Sequence, residues 1–135
     1  MRDVIVTSDG TKLGQDIIIG EFRLRADEPV DKTGADTGPE PHEFMLAALG
    51  ACTSMTLRLY AERKGWPLQG VHVRLTGGPA DGKYNIIRHI TMDGDLDAEQ
   101  RARLLEIASK CPVHRTLTGE VLIETKEGHE PAKTG

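Results

Sequence analysis

Short stretches of alternating apolar and polar residues flank one run, Phe44 to Met55, in which apolar residues occupy nearly every side of a helical turn. Val4-Ile5-Val6 reads as a short strand and Ser8-Asp9-Gly10-Thr11 as a turn. Ile17-Ile18-Ile19 opens a second strand that continues past Gly20 through Phe22-Arg23-Leu24-Arg25. Alternation there puts Phe22 and Leu24 on one face, Arg23 and Arg25 on the other. Residues 26–40 hold Pro29, Gly34, Gly38, Pro39 and five acids, the composition of a long functional loop.

The spacing predicts a helix over 41–64. Pro41 suits a first helical turn and Glu43 lies near the positive end of the dipole. Arg58, Arg63 and Lys64 lie near the negative end, and Gly65 is the stop. Ala47, Ala48, Gly50 and Ala51 make its middle small as well as apolar, which predicts burial on most sides and close approach by another element. Gly50 costs about 1 kcal/mol against alanine in a helix, and tight packing is the physical reason for it.

Val71, Val73 and Leu75 alternate with His72, Arg74 and Thr76 as a half-buried strand. Residues 77–82 read as a loop and Tyr84 to Met92 as a second alternating strand. Asp97 and Gln100 form a capping box for a helix whose Leu104, Ile107, Ala108 and Cys111 share one stripe. Pro112 then imposes a break or a new start. Val121-Leu122-Ile123 predicts a last strand, and residues 128–135 a frayed tail. The order predicts one α+β domain with mainly antiparallel pairing: N-terminal strands in 1–25, a loop over 26–40, a central helix over 41–64 and a ββαβ half over 71–125.

A chain of 135 residues is large enough for a core that needs no metal or disulfide staple. Its formal charge of −4 comes without a Lys/Arg cluster, and its aromatics are few, so no nucleic-acid partner is expected. The N-terminus lacks a signal-peptide pattern and no apolar stretch approaches the roughly 20 residues of a membrane span, so no membrane association is expected. Two cysteines in such a chain fit a reducing, cytoplasmic setting, where a disulfide is transient and catalytic.

Those cysteines are the candidate chemistry. Cys52 lies inside the apolar run, and Cys111 opens Cys111-Pro112-Val113-His114-Arg115-Thr116. A free cysteine in an apolar helix is ordinarily a small buried hydrophobe. Two helix-borne thiols on inward faces also admit redox chemistry, but an apolar site alone raises a thiol pKa. Reactivity therefore requires a cation, with Arg25, Arg115 and the five histidines as candidates. At about 100° per residue Met45, Ala48, Leu49, Met55 and Leu59 share the face of Cys52, while His42 is about 80° away and Glu43 nearly opposite. Cys111 with His114 is only half of a zinc site, and neither metal nor other cofactor is expected. Nor does the spacing support a Cys-His-Asp triad.

Gly38-Pro39-Glu40-Pro41-His42-Glu43-Phe44 followed by Leu46-Ala47-Ala48-Leu49-Gly50-Ala51-Cys52 resembles the first-cysteine helix of the OsmC/Ohr family of osmotically inducible and organic-hydroperoxide-resistance proteins. Lys110-Cys111-Pro112-Val113-His114 resembles that family's second-cysteine motif, and the resemblance covers about residues 15–125. It implies a homodimer of two interlocked α+β subunits with the long helices packed at its centre. It also implies Cys52 as the peroxidatic thiol and Cys111 as the resolving thiol. The family's supporting arginine matches Arg25, and its glutamate falls on His42 rather than on Glu43, a departure at a position that matters.

The activity implied is reduction of organic hydroperoxides in oxidative or osmotic stress. Cys52 passes through a sulfenic acid to a Cys52–Cys111 disulfide, which an external thiol or dithiol reduces. The alternative on the same fold is a small-molecule binding or stress protein with little or no turnover.

Overall fold

The computed structural model describes residues 1–128, so the tail expected over 128–135 lies, beyond Gly128, outside the described residues. Strands β1 (Val4–Ser8), β2 (Gln15–Ile19) and β3 (Phe22–Ala26) form an antiparallel sheet in that order. The second and third are separate strands, not one continuous strand. Ile19 pairs with Phe22 across a two-residue turn at Gly20-Glu21, where Gly20 takes a φ of 60°. A first turn residue with positive φ is what a tight hairpin of this kind demands, and glycine supplies it without strain.

The long helix α1 (Pro41–Lys64) has the predicted bounds. Glu40 caps it: its backbone carbonyl accepts the N–H of Glu43 at 3.0 Å while the Glu43 carboxylate accepts the N–H of Glu40, and Gly65 closes the helix. Behind it come β4 (Leu68–Ala80) and β5 (Lys83–Gly94), paired from Leu68↔Gly94 to Ala80↔Lys83. The stretch read as a loop over 77–82 is mostly strand, because Asp81-Gly82 alone makes the turn, with φ of 54° and 74°. Two consecutive left-handed residues match the twist of the flanking strands.

Helix α2 (Ala98–Ala108) starts at the predicted Asp97/Gln100 capping box. It ends three residues before Cys111, and that cysteine begins a further helix, α3 (Pro112–Thr118), as its N-cap. Pro112 acts as a start because its missing N–H falls where a first-turn donor has no helical acceptor. The predicted last strand does not form: residues 121–126 pair with neither sheet, and Leu122 and Ile123 are 85% and 86% exposed. A strand exists only through a partner's backbone, and among the described residues no strand edge receives the segment.

The apolar core joins Leu57, Tyr60 and Ala61 of α1, Leu68 and Met92 of the hairpin, Leu96, and Leu104, Ile107 and Ala108 of α2. Buried positions on α1 are Leu49, Gly50, Thr53, Leu57, Tyr60 and Ala61, a single stripe. The expected burial on most sides is thus confined to one side within this chain. Met55 and Leu59, on the flank shared with Cys52, are 64% and 67% exposed.

Contrary to the expectation from sequence, α1 is long and apolar enough to cross a membrane, with a window of mean hydropathy 1.3. Within this chain it packs on β4, α2 and α3 along one side. Leu104 is fully buried, whereas its neighbour Leu105 is 51% exposed. Leu104→Ala should therefore cost about 2–5 kcal/mol in urea unfolding, and Leu105→Ala should cost markedly less.

Candidate functional site

Alternation along β5 turns Ile86, Arg88, Ile90 and Met92 to the half-buried or buried side, so an arginine stands in an otherwise apolar row. Leu75 is its cross-strand partner on β4. From that row Arg88 Nη1 donates to Thr53 Oγ1 at 3.0 Å, and Nη2 lies 3.1 Å from His114 Nδ1. Thr53, fully buried, donates its own hydroxyl hydrogen bond to Leu49 O at 2.7 Å. One guanidinium thus ties α1, at the residue after Cys52, to the first turns of α3.

Cys111 is fully buried, and its Sγ accepts the backbone N–H of His114 at 3.3 Å. Cys52 is half-buried on the flank of α1, and both cysteines are free thiols. A guanidinium is never an acceptor, so its bond to His114 fixes Nδ1 as the unprotonated nitrogen and puts the ring proton on Nε2. Burial first, and the Arg88 charge second, push the His114 pKa below its usual value.

Beside this junction lies a cavity of about 420 Å³. Leu49, Ile86 and Leu117 form its apolar wall, and Tyr84, Arg88 and His114 its polar side. Neither sulfur lines it. His42 stacks on Tyr84 with ring centroids 4.9 Å apart and planes 15° from parallel, so the start of α1 rests on the tip of the hairpin. Tyr84 can lie there because Gly77 has no side chain: a Cβ would come within 2.7 Å of its hydroxyl.

The other residues singled out in the sequence lie elsewhere or do other work. Arg25 does not bond to either cysteine. Its guanidinium is held by Asp9 at 2.7 Å, Asp16 at 2.8 Å and Thr37 at 3.0 Å, at the start of the loop. Alternation on β3 directs it to the row of β2 that carries Asp16, its cross-strand partner. Hydrogen bonds from Thr11 and Arg25 lower the Asp9 pKa to about 2. Glu43 accepts the backbone N–H of Glu40 at 2.8 Å and serves as a helix cap.

Arg115 is exposed on α3. The cation beside the Cys52 turn is Arg88, a residue outside the candidate cations of the sequence. Its signal was present: a charged residue in phase with Ile86, Ile90 and Met92. Among the described residues no group of three or more His, Cys, Asp or Glu side chains converges as a metal site would require.

The His114 geometry has a pH consequence. Folding lowers its pKa below the usual 6.5, so on acidification the unfolded chain takes up this proton first. The group leaves stability unchanged above about 6.5, and stability falls as pH drops from there toward the folded-state pKa. Histidine-selective nitrogen NMR should show protonated Nε2, bare Nδ1 and a midpoint below 6.5. His114→Gln should flatten the acid limb of the stability curve, and a midpoint above 6.5 would contradict the Arg88 bond.

The fold has solved relatives. An OsmC-like protein from Mycoplasma pneumoniae superposes with a TM-score of 0.75 at 23% identity, covering 88% of this chain and 88% of its own. An organic hydroperoxide resistance protein, OhrB of Bacillus subtilis, gives 0.61 at 21%, covering 87% and 91%. The organic hydroperoxide resistance protein OsmC from Legionella pneumophila gives 0.62 at 21%, covering 87% and 90%. At these identities the likeness shows the fold. No curated protein matches the sequence. The model of the OsmC-like protein family matches residues 34–126, from the loop ahead of α1 to beyond α3, and with the two cysteine motifs inside that span the chain belongs to the OsmC-like family.

Proposed function

We propose that the protein is a thiol-dependent peroxidase acting on organic hydroperoxides in stress defence. The observation that carries this reading is the Thr53–Arg88–His114 bridge. It links the residue after one free cysteine to the helix capped by the other. Relatives of the same fold named for organic hydroperoxide resistance support it.

The Cys52 thiolate attacks the distal peroxide oxygen, the O–O bond breaks, and the alkoxide leaves as the alcohol after taking up a proton. Cys52 is then a sulfenic acid. The Cys111 thiolate attacks its sulfur, expelling hydroxide, which leaves as water, and forming the disulfide. An external thiol or dithiol returns both sulfurs to the reduced state and is itself oxidised to a disulfide. A reducing compartment such as the cytoplasm suits this cycle. Cys52→Ser should abolish peroxide consumption, and Cys111→Ser should retain a single turnover with a sulfenic acid that dimedone traps. Equal steady-state turnover in both variants would overturn the assignment.

The working unit in this reading is a homodimer. Met55 and Leu59 on α1, Val4 to Val6 and Phe22 on the first sheet, and Val121 to Ile123 are apolar residues left exposed in a single copy, the kind of surface a second subunit would cover. Light scattering at micromolar concentration should give twice the chain mass. Met55→Asp with Leu59→Asp should shift it toward a monomer, and an unmodified protein that runs as a monomer would remove this part of the proposal.

The second reading, a small-molecule binding protein on the same fold, draws on the cavity, which neither sulfur lines.

A further inference from the structure

The cavity beside α1 and α3 is walled by Leu49, Ile86 and Leu117 and contains one formal charge, that of Arg88. A half-buried guanidinium ordinarily has a carboxylate partner, since removing a cation from water without one is costly. Arg25 has two, Asp9 and Asp16. Arg88 has none: among the described residues no acid lies within ion-pair distance of it. Its two protein partners, Thr53 Oγ1 and His114 Nδ1, are neutral acceptors. Each takes one of the five N–H groups of an arginine, and the Nε–H and one hydrogen on each Nη have no protein acceptor among the described residues.

We infer that this cavity binds a small amphipathic monocarboxylate, with the carboxylate on the free N–H edge of Arg88 and the hydrocarbon body along Leu49, Ile86 and Leu117. The charge balance selects a monoanion, because Arg88 is the single ionised side chain on the wall and His114 meets it with a bare nitrogen. Guanidinium geometry selects a planar acceptor, two parallel N–H groups matching two carboxylate oxygens. Three apolar walls select a ligand with a hydrocarbon body over a bare anion such as acetate. A volume of about 420 Å³ is in the range of small-molecule sites. The same chemistry has a second source, a carboxylate from another copy of the chain, and the experiment separates the two.

The inference goes beyond the peroxidase reading and does not require it. Calorimetric titration of the assembled Cys52→Ser protein with octanoate, 1-octanol and acetate tests it without any peroxide chemistry. Octanoate should bind at least tenfold more tightly than either of the others, and Arg88→Gln should erase its advantage over octanol. Because Arg88 also joins α1 to α3, Ile86→Trp serves as the second variant. It fills the cavity, leaves Arg88 in place, and should abolish octanoate binding with the circular dichroism spectrum unchanged.

Equal affinity for octanoate and octanol would overturn the inference, as would octanoate binding that survives Ile86→Trp. No octanoate binding by the assembled protein would overturn it too, in favour of a carboxylate from the second copy. An unmodified protein that consumes no organic hydroperoxide while the Cys52→Ser protein binds octanoate as expected would count against the peroxidase reading alone.

Discussion

The seating of α1 on the inner face of the β4–β5 hairpin depends on how closely the helix backbone can approach the sheet. Gly50 eases that approach: a Cβ there would meet the terminal Cδ1 methyl of Leu75 at 2.8 Å, and that side chain would have to move aside. The approach brings Leu49, Thr53 and Leu57 down on a face made of Leu75, Ile86, Arg88 and Ile90. A glycine in mid-helix costs about 1 kcal/mol in helix propensity. Burial of a leucine such as Leu57 contributes about 1.5–3 kcal/mol, so the packing outweighs the propensity.

The same seating brings Arg88 under α1. The two arginines of interest in this chain sit in opposite electrostatic settings. Arg25 is clamped between Asp9 and Asp16 at the edge of the first sheet, and its charge is spent on holding a loop. Arg88 is surrounded by apolar side chains and two neutral acceptors, and its charge stays available to whatever enters the cavity. Low polarity around a cation strengthens its pull on an anion, which is why position matters more here than residue type.

A single copy of the chain leaves large apolar residues exposed on three of its elements. The first sheet supplies only Ala26 to the buried apolar residues, the Met55–Leu59 flank of α1 faces outward, and the segment after α3 has no strand partner among the described residues. These are three separate elements, and each has the apolar pattern of a buried one. The homodimer proposed above would give each of these apolar surfaces a second chain to cover it.

Local rules made much of this legible in advance. The bounds of α1 follow from Pro41 and Gly65, the start of α2 from Asp97 and Gln100, and the two cysteine motifs mark the family. Caps, prolines and periodicity act within one or two turns, and the sequence carries them whole. Turn lengths were harder: Gly20-Glu21 and Asp81-Gly82 each make a two-residue hairpin that composition alone reads as strand or loop. The site was decided further away. That Arg88 bonds to Thr53, 35 positions earlier in the chain, is a matter of strand register and helix docking, which no local pattern encodes. The residues after α3 have a strand's composition and no strand, because pairing belongs to two backbones and one sequence stretch can supply only the first.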